Sequence, residues 1–250
     1  MTAVGIDVGS KNVKIALVQG EQLVAHRVVP GGIERRTVME EAFDKLLKES
    51  GLSRNEIEKV GATGVGRTEV TFANEIEPDA VTGAKGAIKL FPSARTIIDI
   101  GSEHAYAVKC DAQGTVLDFA QNEKCAAGAG VFVEAMARAL EVGIEEIGEL
   151  SLQSTNLIPM NVTCVVFAES EVVSLIHAKT PKPDIARAVH EAIANRIISM
   201  VRKVGVEEDV VLIGGMARNP AMIERIREHL GVRILVPPHP EVVGAFGVAL

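Results

Sequence analysis

Aromatic residues are scarce in this chain. It has no tryptophan, one tyrosine and seven phenylalanines among 250 residues, and its formal net charge is −7 with no basic cluster. A groove for nucleic acid needs positive charge and, for single strands, stacking aromatic rings. The composition therefore predicts that nucleic acid is not a partner.

Long apolar runs and export signals are also missing. No run approaches the roughly 18 residues that cross a bilayer. Asp7 interrupts the first apolar stretch, and no basic segment precedes it, so a signal peptide is not expected. Three cysteines, an odd number, argue against a disulfide framework in a chain without an export signal. We expect a soluble, cytoplasmic protein without a membrane partner.

The chain does contain enough apolar sequence for a core. Apolar residues make up 47% and charged residues 24% of it, which is the balance of a globular protein and excludes a disordered one. A length of 250 residues fits one large α/β domain or two small ones.

Two segments of the chain resemble each other. Residues 4–10 read VGIDVGS and residues 97–102 read IIDIGS, so that Asp7 and Asp99 lie 92 positions apart near the ends of similar apolar strands. Two more strand-like runs follow each segment. These runs are 13–18 and 23–28 in the first copy and 105–109 and 115–119 in the second. Each half is therefore predicted to open with a three-stranded antiparallel meander.

Helical periodicity follows each meander. Predicted helices span 37–50, 131–140, 168–178, 184–204 and 220–230, and further predicted strands span 59–62 and 209–213. The pattern divides the chain into an N-terminal domain, 1–92, and a C-terminal domain, 93–250, and it allows the last helix to pack back on the first domain.

The repeated Asp-x-Gly-Ser sequence suits a phosphate site. Backbone N–H groups in a glycine turn, together with a serine hydroxyl, can surround phosphate oxygens. A carboxylate at the end of the strand can hold Mg²⁺ through water or orient an attacking water. The predicted phosphate-binding residues are Gly9, Ser10, Gly101 and Ser102, and the predicted carboxylates are Asp7 and Asp99. The alternative is that each segment is only a hairpin turn.

A third glycine loop supports nucleotide binding. The predicted strand 209–213 runs into Gly214 and Gly215, and Asn219 precedes the next helix. Without side chains at the two glycines, a flat ring can approach the backbone. The three loops, in this order, resemble the acetate and sugar kinase, Hsp70 and actin superfamily. That resemblance implies an α/β fold of two related ribonuclease H-like domains that close on ATP in a cleft between them.

Two cysteines stand in runs of unusual composition. Cys125 and Cys164 lie 39 positions apart, without the CxxC spacing of a zinc site, and each precedes a predicted helix, whose positive end favours a thiolate. Two thiolates are half the ligands of an iron–sulfur cube, and a two-fold dimer would supply the other half. The alternative is that both are small buried apolar side chains.

The two cysteine runs, CAAGAG at 125–130 and CVVFAESEV at 164–172, combine with the Asp-x-Gly-Ser start and ATGVGR at 62–67. Together they resemble the BadF/BadG/BcrA/BcrD family, the ATP-dependent activators of 2-hydroxyacyl-CoA dehydratases and the ATPase subunits of benzoyl-CoA reductases. The resemblance implies that Cys125 and Cys164 ligate one [4Fe–4S] cluster shared across a dimer axis.

The same resemblance implies further roles. Ser10, Lys11, Asn12 and Lys14 match the phosphate loop of the family, and Gly214 and Gly215 match its adenosine loop. ATP binding and hydrolysis, with ADP as the product, would drive a low-potential electron from a donor such as ferredoxin or flavodoxin into a partner iron–sulfur dehydratase or reductase.

The second phosphate loop departs from the dehydratase activators. Their Gln and Asp are replaced by Glu103 and His104 after Ser102, which is closer to the smaller ATPase subunit of benzoyl-CoA reductases. We take Glu103 and His104, with the two aspartates, as candidate catalytic residues; His104 is either a general base or nucleotide contact or a surface residue. The change leaves both a homodimer and a pseudo-symmetric heterodimer open.

Two other functions remain open at this point. One is a small-molecule kinase of the same superfamily, although a kinase does not need the cysteine pair. The other is a nucleotide-sensing subunit that no longer hydrolyses ATP. Cys110 is interpreted as a packing residue, and the histidines at 26, 177, 190, 229 and 239 as ordinary surface residues.

Overall fold

The structure is a computed structural model that describes residues 1–122, 130–160 and 165–250. These residues form two five-stranded sheets and eight α-helices. The first sheet contains β1 (Thr2–Val8), β2 (Asn12–Gln19), β3 (Gln22–Pro30), β4 (Lys59–Thr63) and β5 (Glu75–Ile76), and the second β6 (Thr96–Ile100), β7 (Ala105–Cys110), β8 (Val116–Gln121), β9 (Val210–Ile213) and β10 (Ile234–Leu235). The helices are α1 (Arg35–Glu49), α2 (Asp79–Leu90), α3 (Gly130–Ala139), α4 (Glu146–Leu152), α5 (Val165–His177), α6 (Lys182–Val204), α7 (Pro220–Leu230) and α8 (Val243–Ala249).

The two sheets have the same topology. Their strand orders are β3-β2-β1-β4-β5 and β8-β7-β6-β9-β10. In each sheet the first three strands pair antiparallel, and the fourth and fifth join them in parallel. The internal repeat predicted from the sequence is therefore confirmed, and β1 and β6 hold equivalent central positions. This arrangement places Asp7 and Asp99 at the same end of equivalent strands.

Helix α1 covers one face of the first sheet. Its buried residues, Met39, Ala42, Phe43, Leu46 and Leu47, recur at intervals of three and four and so form one stripe. They pack with the inward side chains of β1, β2 and β4. The central strand β1 is buried along nearly its whole length, which explains its near-continuous apolar sequence.

Helices α2 and α8 lie between the two sheets and pack against each other. Helix α2 packs on β6, β7 and β9 of the second sheet, whereas α8 packs on β1 and β2 of the first. Their contact is close: a Cβ at Gly247 would lie 1.8 Å from the carbonyl oxygen of Thr82, and one at Gly86 would lie 2.4 Å from that of Val243. Any larger side chain at these glycines would push the two helices apart.

The other face of the second sheet carries the largest part of the core, built with α3, α5, α6 and α7. Helix α7 begins as the sequence predicts, with Asn219 accepting a hydrogen bond from the backbone N–H of Met222 at 3.1 Å and Pro220 at its first turn. It ends before Gly231, which adopts a left-handed conformation with φ of +68°. Among the described residues, no helix is both long and apolar enough to cross a membrane.

Candidate functional site

The first phosphate turn brings an aspartate and a lysine together. Asp7 and Lys14 are opposite each other in the antiparallel pair of β1 and β2, and Lys14 Nζ donates to Asp7 Oδ2 at 2.9 Å. Gly9 makes room for this contact, because a Cβ there would lie 2.5 Å from the ammonium nitrogen. The other carboxylate oxygen, Asp7 Oδ1, is buried and has no hydrogen-bond partner among the described residues.

The second phosphate turn is built in the same way around Asp99. In the pair of β6 and β7, the residue opposite Asp99 is Tyr106, so that a phenol stands where the first sheet has the Lys14 ammonium. The N–H of Gly101 donates to the carbonyl of His104 at 2.9 Å. Helix α3 begins against this turn, since the N–H of Gly130 donates to the carbonyl of Gly101, also at 2.9 Å.

A third carboxylate, Asp79, stands at the first turn of α2 and lines the same cleft as Asp7, Asp99 and Lys14. Burial raises the pKa of Asp99 to about 7, and the charges of Asp79 and Asp7 add to the effect while Lys14 opposes it. Burial, followed by the charge of Asp7, also raises the pKa of Asp79. Among the described residues of the cleft, Asp7, Asp79 and Asp99 thus share one ammonium group, that of Lys14, and this part of the cleft favours additional positive charge.

The pKa of Lys14 is raised as well, but by the neighbouring carboxylates and not by burial. Burial alone would lower the pKa of Lys14, but the charges of Asp7, Asp99 and Asp79 and the hydrogen bond to Asp7 outweigh it, so the pKa is raised. Lys14 therefore stays protonated, where it can pair with a phosphate oxygen.

The carboxylates suit a magnesium ion that keeps most of its water ligands, and not an ion coordinated by protein side chains alone. Across residues 1–122, 130–160 and 165–250, no three Asp, Glu, His or Cys side chains are grouped to hold a metal ion by themselves. Mg²⁺ usually keeps several waters and binds one or two carboxylates together with substrate phosphates. The unpartnered Asp7 Oδ1 fits such an ion, with Asp79 and Asp99 within the same cleft.

The Gly214–Gly215 loop forms another wall of the cleft. Gly214 follows β9 with φ of +85°, and its N–H donates to the carbonyl of Pro240 at 2.9 Å. A Cβ at Gly214 would lie 2.4 Å from Asp99 Oδ1, whereas one at Gly215 would meet nothing within 4 Å. Gly215 also lines an adjoining cavity of about 300 Å³, next to Met216 and Ile144. This apolar wall beside bare backbone can receive a planar ring.

Most of the residues selected from the sequence line these two cavities. The main cleft is lined by Asp7, Gly9, Ser10, Lys14, Asp99, Gly101, Ser102, His104, Gly214 and Gly215, and the adjoining cavity by Lys11, Asn12, Lys14, Gly101, Ser102 and Gly215. Glu103 and Asn219 line neither of them. Cys125 and Cys164 lie outside the described residues.

The side chain of Asn219 has structural partners. Besides capping α7, its Nδ2 lies 3.0 Å from Nε2 of His190. His190 is fully buried in α6, with Nδ1 2.8 Å from the carbonyl oxygen of Ala186. The interpretation of His190 as a surface residue is therefore wrong. Burial lowers the pKa of His190 to about 4, so its ring is neutral at pH 7.

Three polar side chains of the cleft, those of Asp79, Tyr106 and Glu241, were not predicted from the sequence. Asp79 was missed because α2 was not predicted. Tyr106 had a usable signal, since it follows Lys14 by the same 92 positions that separate Asp99 from Asp7. Glu241 lines both cavities and accepts two hydrogen bonds from the Arg218 guanidinium, at 2.6 and 2.8 Å.

Two sheets of equal topology, two glycine turns with aspartates and a third glycine loop around one cleft define a protein of the actin, Hsp70 and sugar kinase fold. A glucokinase of the ROK family from Streptomyces griseus shares this fold, with a TM-score of 0.64 at 13% identity, covering 100% of this chain and 98% of that one. The chain belongs to the BadF/BadG/BcrA/BcrD ATPase family, whose sequence profile matches residues 4–250.

Relatives of known name cover the whole chain. It is 38% identical to the 2-hydroxyisocaproyl-CoA dehydratase activator of Clostridioides difficile, over 100% of this chain and 94% of that protein. It is 39% identical to the activator of lactoyl-CoA dehydratase of Anaerotignum propionicum, over 100% and 96%. A subunit of the benzoyl-CoA reductase of Thauera aromatica is 32% identical, over 98% and 91%.

Solved structures agree with these relatives. The activator of the 2-hydroxyisocaproyl-CoA dehydratase from Clostridium difficile, with bound ADPNP, has a TM-score of 0.93 at 36% identity, over 100% of this chain and 93% of that one. Component A of the (R)-2-hydroxyglutaryl-CoA dehydratase of Acidaminococcus fermentans has a TM-score of 0.95 at 34% identity, over 100% and 96%.

Proposed function

We propose that the chain is an ATP-hydrolysing activator of a partner 2-hydroxyacyl-CoA dehydratase or benzoyl-CoA reductase. The observation that carries this proposal is the similarity to named activators, at 38 and 39% identity along the full chain. The cleft supports it, since its glycine turns, the Lys14 ammonium group and the carboxylates of Asp7, Asp79 and Asp99 suit a nucleotide with Mg²⁺.

In this proposal the two glycine turns hold the phosphates from opposite sides. Lys14 pairs with a phosphate oxygen, and the free oxygen of Asp7 would help to hold a hydrated magnesium ion. Magnesium, when bound, neutralises charge that develops on the phosphates. Gly214 and Gly215 provide the backbone surface for adenosine.

Asp99 is the proposed proton acceptor. Hydrolysis forms a bond from a water oxygen to the γ-phosphorus and breaks the bond to ADP, and it releases a proton. A carboxylate with a pKa near 7 suits general-base work at neutral pH. His104 lines the same cleft beside Tyr106, and we propose it as a contact to the phosphates or the attacking water.

The iron–sulfur part of the proposal rests on the family and on the two cysteine runs. Cys125 and Cys164 would hold a [4Fe–4S] cluster together with the same pair from a second subunit, in a homodimer or a pseudo-symmetric heterodimer. Such a cluster supplies one-electron chemistry. The electron would come from ferredoxin or flavodoxin and pass to the partner enzyme.

The cysteine assignment has a matched control in the chain itself. Cys110 is buried in β7, where burial raises the pKa of its thiol to about 11, so it is a poor ligand. After anaerobic purification, Cys125→Ala and Cys164→Ala should lose iron, sulfide and the EPR signal of the reduced protein and keep ADP affinity. Cys110→Ala should keep the iron. Normal iron content in both ligand variants would refute the assignment.

The activator role is tested by reconstitution. The reduced protein is mixed with ATP, Mg²⁺ and the inactive lactoyl-CoA dehydratase, and dehydration of the CoA ester is followed. We expect activation that depends on ATP. ATP hydrolysis without activation of this dehydratase or of a benzoyl-CoA reductase, or transfer of the γ-phosphate to an added sugar or acid, would refute the proposal.

A further inference from the structure

A further cavity adjoins the nucleotide cleft beside Asp79. It has a volume of about 480 Å³, within the range of small-ligand sites. Four of its lining residues, Val65, Asp79, His104 and Tyr106, also line the nucleotide cleft. The remaining ones are Arg67, Pro78, Ala80, Val81, Val116, Phe119 and Gln121. The two spaces therefore adjoin at these side chains, and we call the second one the Arg67 cavity.

Among the described residues that line this cavity, Arg67 is the one that carries a full positive charge. Its Nη1 donates to the carbonyl oxygen of Gly64 at 3.0 Å. Gly64 in turn lies against the first phosphate site, since a Cβ there would be 2.6 Å from Asp7 Oδ1. Gly64 thus lies between the Arg67 guanidinium and the carboxylate of Asp7, which is proposed to help hold magnesium.

The rest of the guanidinium group is available to a ligand. Within the described residues Arg67 makes no ion pair, although its charge acts on Asp79 and Tyr106. An arginine with several unpaired N–H donors suits the oxygens of a phosphate, which it can bind through two parallel hydrogen bonds.

Further polar side chains line the same cavity. Gln121 Nε2 lies 3.4 Å from His104 Nδ1, and the His104 ring stacks beside Tyr106, with 6.5 Å between centroids. Burial raises the pKa of Tyr106, so the phenol keeps its proton and stays a hydrogen-bond donor. Donors from three side chains therefore supplement the arginine.

We propose that the Arg67 cavity binds the orthophosphate that ATP hydrolysis releases, with Arg67 as its anion-binding residue. This inference rests on the ATPase activity proposed above. Asp7 and Asp99 line the cleft but not the Arg67 cavity, and they repel a departing anion. Asp79 lines both spaces, and Arg67 offsets its charge and attracts the anion on the side away from adenosine. Orthophosphate would thus dissociate from the Arg67 cavity while ADP remains bound.

Equilibrium dialysis with radiolabelled orthophosphate tests this directly, using the purified protein with saturating ADP and Mg²⁺. We expect Arg67→Gln to raise the dissociation constant of orthophosphate at least about tenfold, equivalent to about 1.4 kcal/mol. Arg67→Lys, which keeps the charge but not the planar fork, should give an intermediate value. Arg36→Gln is the control, since Arg36 lies exposed on α1, and it should leave orthophosphate binding unchanged.

Each contrary result is distinct. Unchanged orthophosphate affinity in Arg67→Gln would overturn the inference, and so would an equal loss of ADP affinity, because Arg67 would then act on the nucleotide or on folding. Displacement of orthophosphate by an equal concentration of butyrate would make an organic carboxylate the ligand instead. ADP binding without orthophosphate binding in the unmodified protein would refute this inference alone, whereas loss of both would refute the proposed function.

Discussion

Replacing Gly214 by alanine should destabilise the protein and its adenosine loop together. Gly214 has φ of +85° and ψ of 172°, a backbone conformation that costs an L residue about 1–3 kcal/mol. Its new Cβ would lie 2.4 Å from Asp99 Oδ1 and 2.5 Å from the carbonyl oxygen of Ile100. One of these neighbours is backbone of the central strand β6, so it cannot move without disturbing the sheet.

Crowding of this kind adds about 1–3 kcal/mol, so the expected loss of unfolding free energy is about 2–6 kcal/mol. For a chain of this size each kcal/mol lowers the melting temperature by about 2–4 °C. Gly214→Ala should therefore melt at least about 4 °C below the unmodified protein. The displaced Asp99 should also weaken binding of Mg²⁺ and ADP.

Gly215 provides the matched control. It is the next residue, it lines the same cleft, and a Cβ there would meet nothing within 4 Å. Gly215→Ala should keep the unfolding free energy within about 0.5 kcal/mol, even if its methyl group obstructs the nucleotide. Thermal unfolding by circular dichroism, with and without ADP, measures both effects. Equal melting temperatures for the two variants would refute the reasoning.

The strands were predictable because burial leaves a direct signal in the sequence. Strands β1, β6 and β9 are central and covered on both faces, so their sequences are almost continuously apolar. Helix α2 gave no such signal, since its sequence DAVTGAKGAIKL contains two glycines, which disfavour a helix. The contact with α8 requires one of them, Gly86, and tertiary packing therefore overrides the local propensity. The division of the chain at residue 92 stays a prediction.

The site was predictable where the repeat pointed to it. Asp7 and Asp99 were found because both copies end in the same turn. Lys14 was predicted from the family resemblance, and the register of β1 and β2 places it opposite Asp7. Asp79 comes from outside the repeat, on a helix that the sequence did not reveal. His190 was misjudged although it lies three and seven residues before buried isoleucines of α6, a spacing that places it on the buried face.

Two further predictions concern the charges of the cleft. Lys14→Met leaves a partly buried Asp7 unpaired and should cost about 2–4 kcal/mol in urea unfolding. Lys11→Met breaks an exposed ion pair with Glu134 and should cost less than about 1 kcal/mol; equal losses would contradict the assigned roles. For Asp99, the pKa rises from 3.8 to about 7 on folding, chiefly through burial, so the folded protein keeps a proton that the unfolded chain releases. Stability therefore falls as the pH rises through this window. The side chain of Asp99→Asn does not titrate. The difference in unfolding free energy in favour of this variant should therefore grow between about pH 4 and pH 7, by up to about 4 kcal/mol, and stay constant above pH 7. Urea unfolding at several pH values measures this difference, and an advantage that shrinks as the pH rises would show that Asp99 is ionised in the folded protein throughout the range.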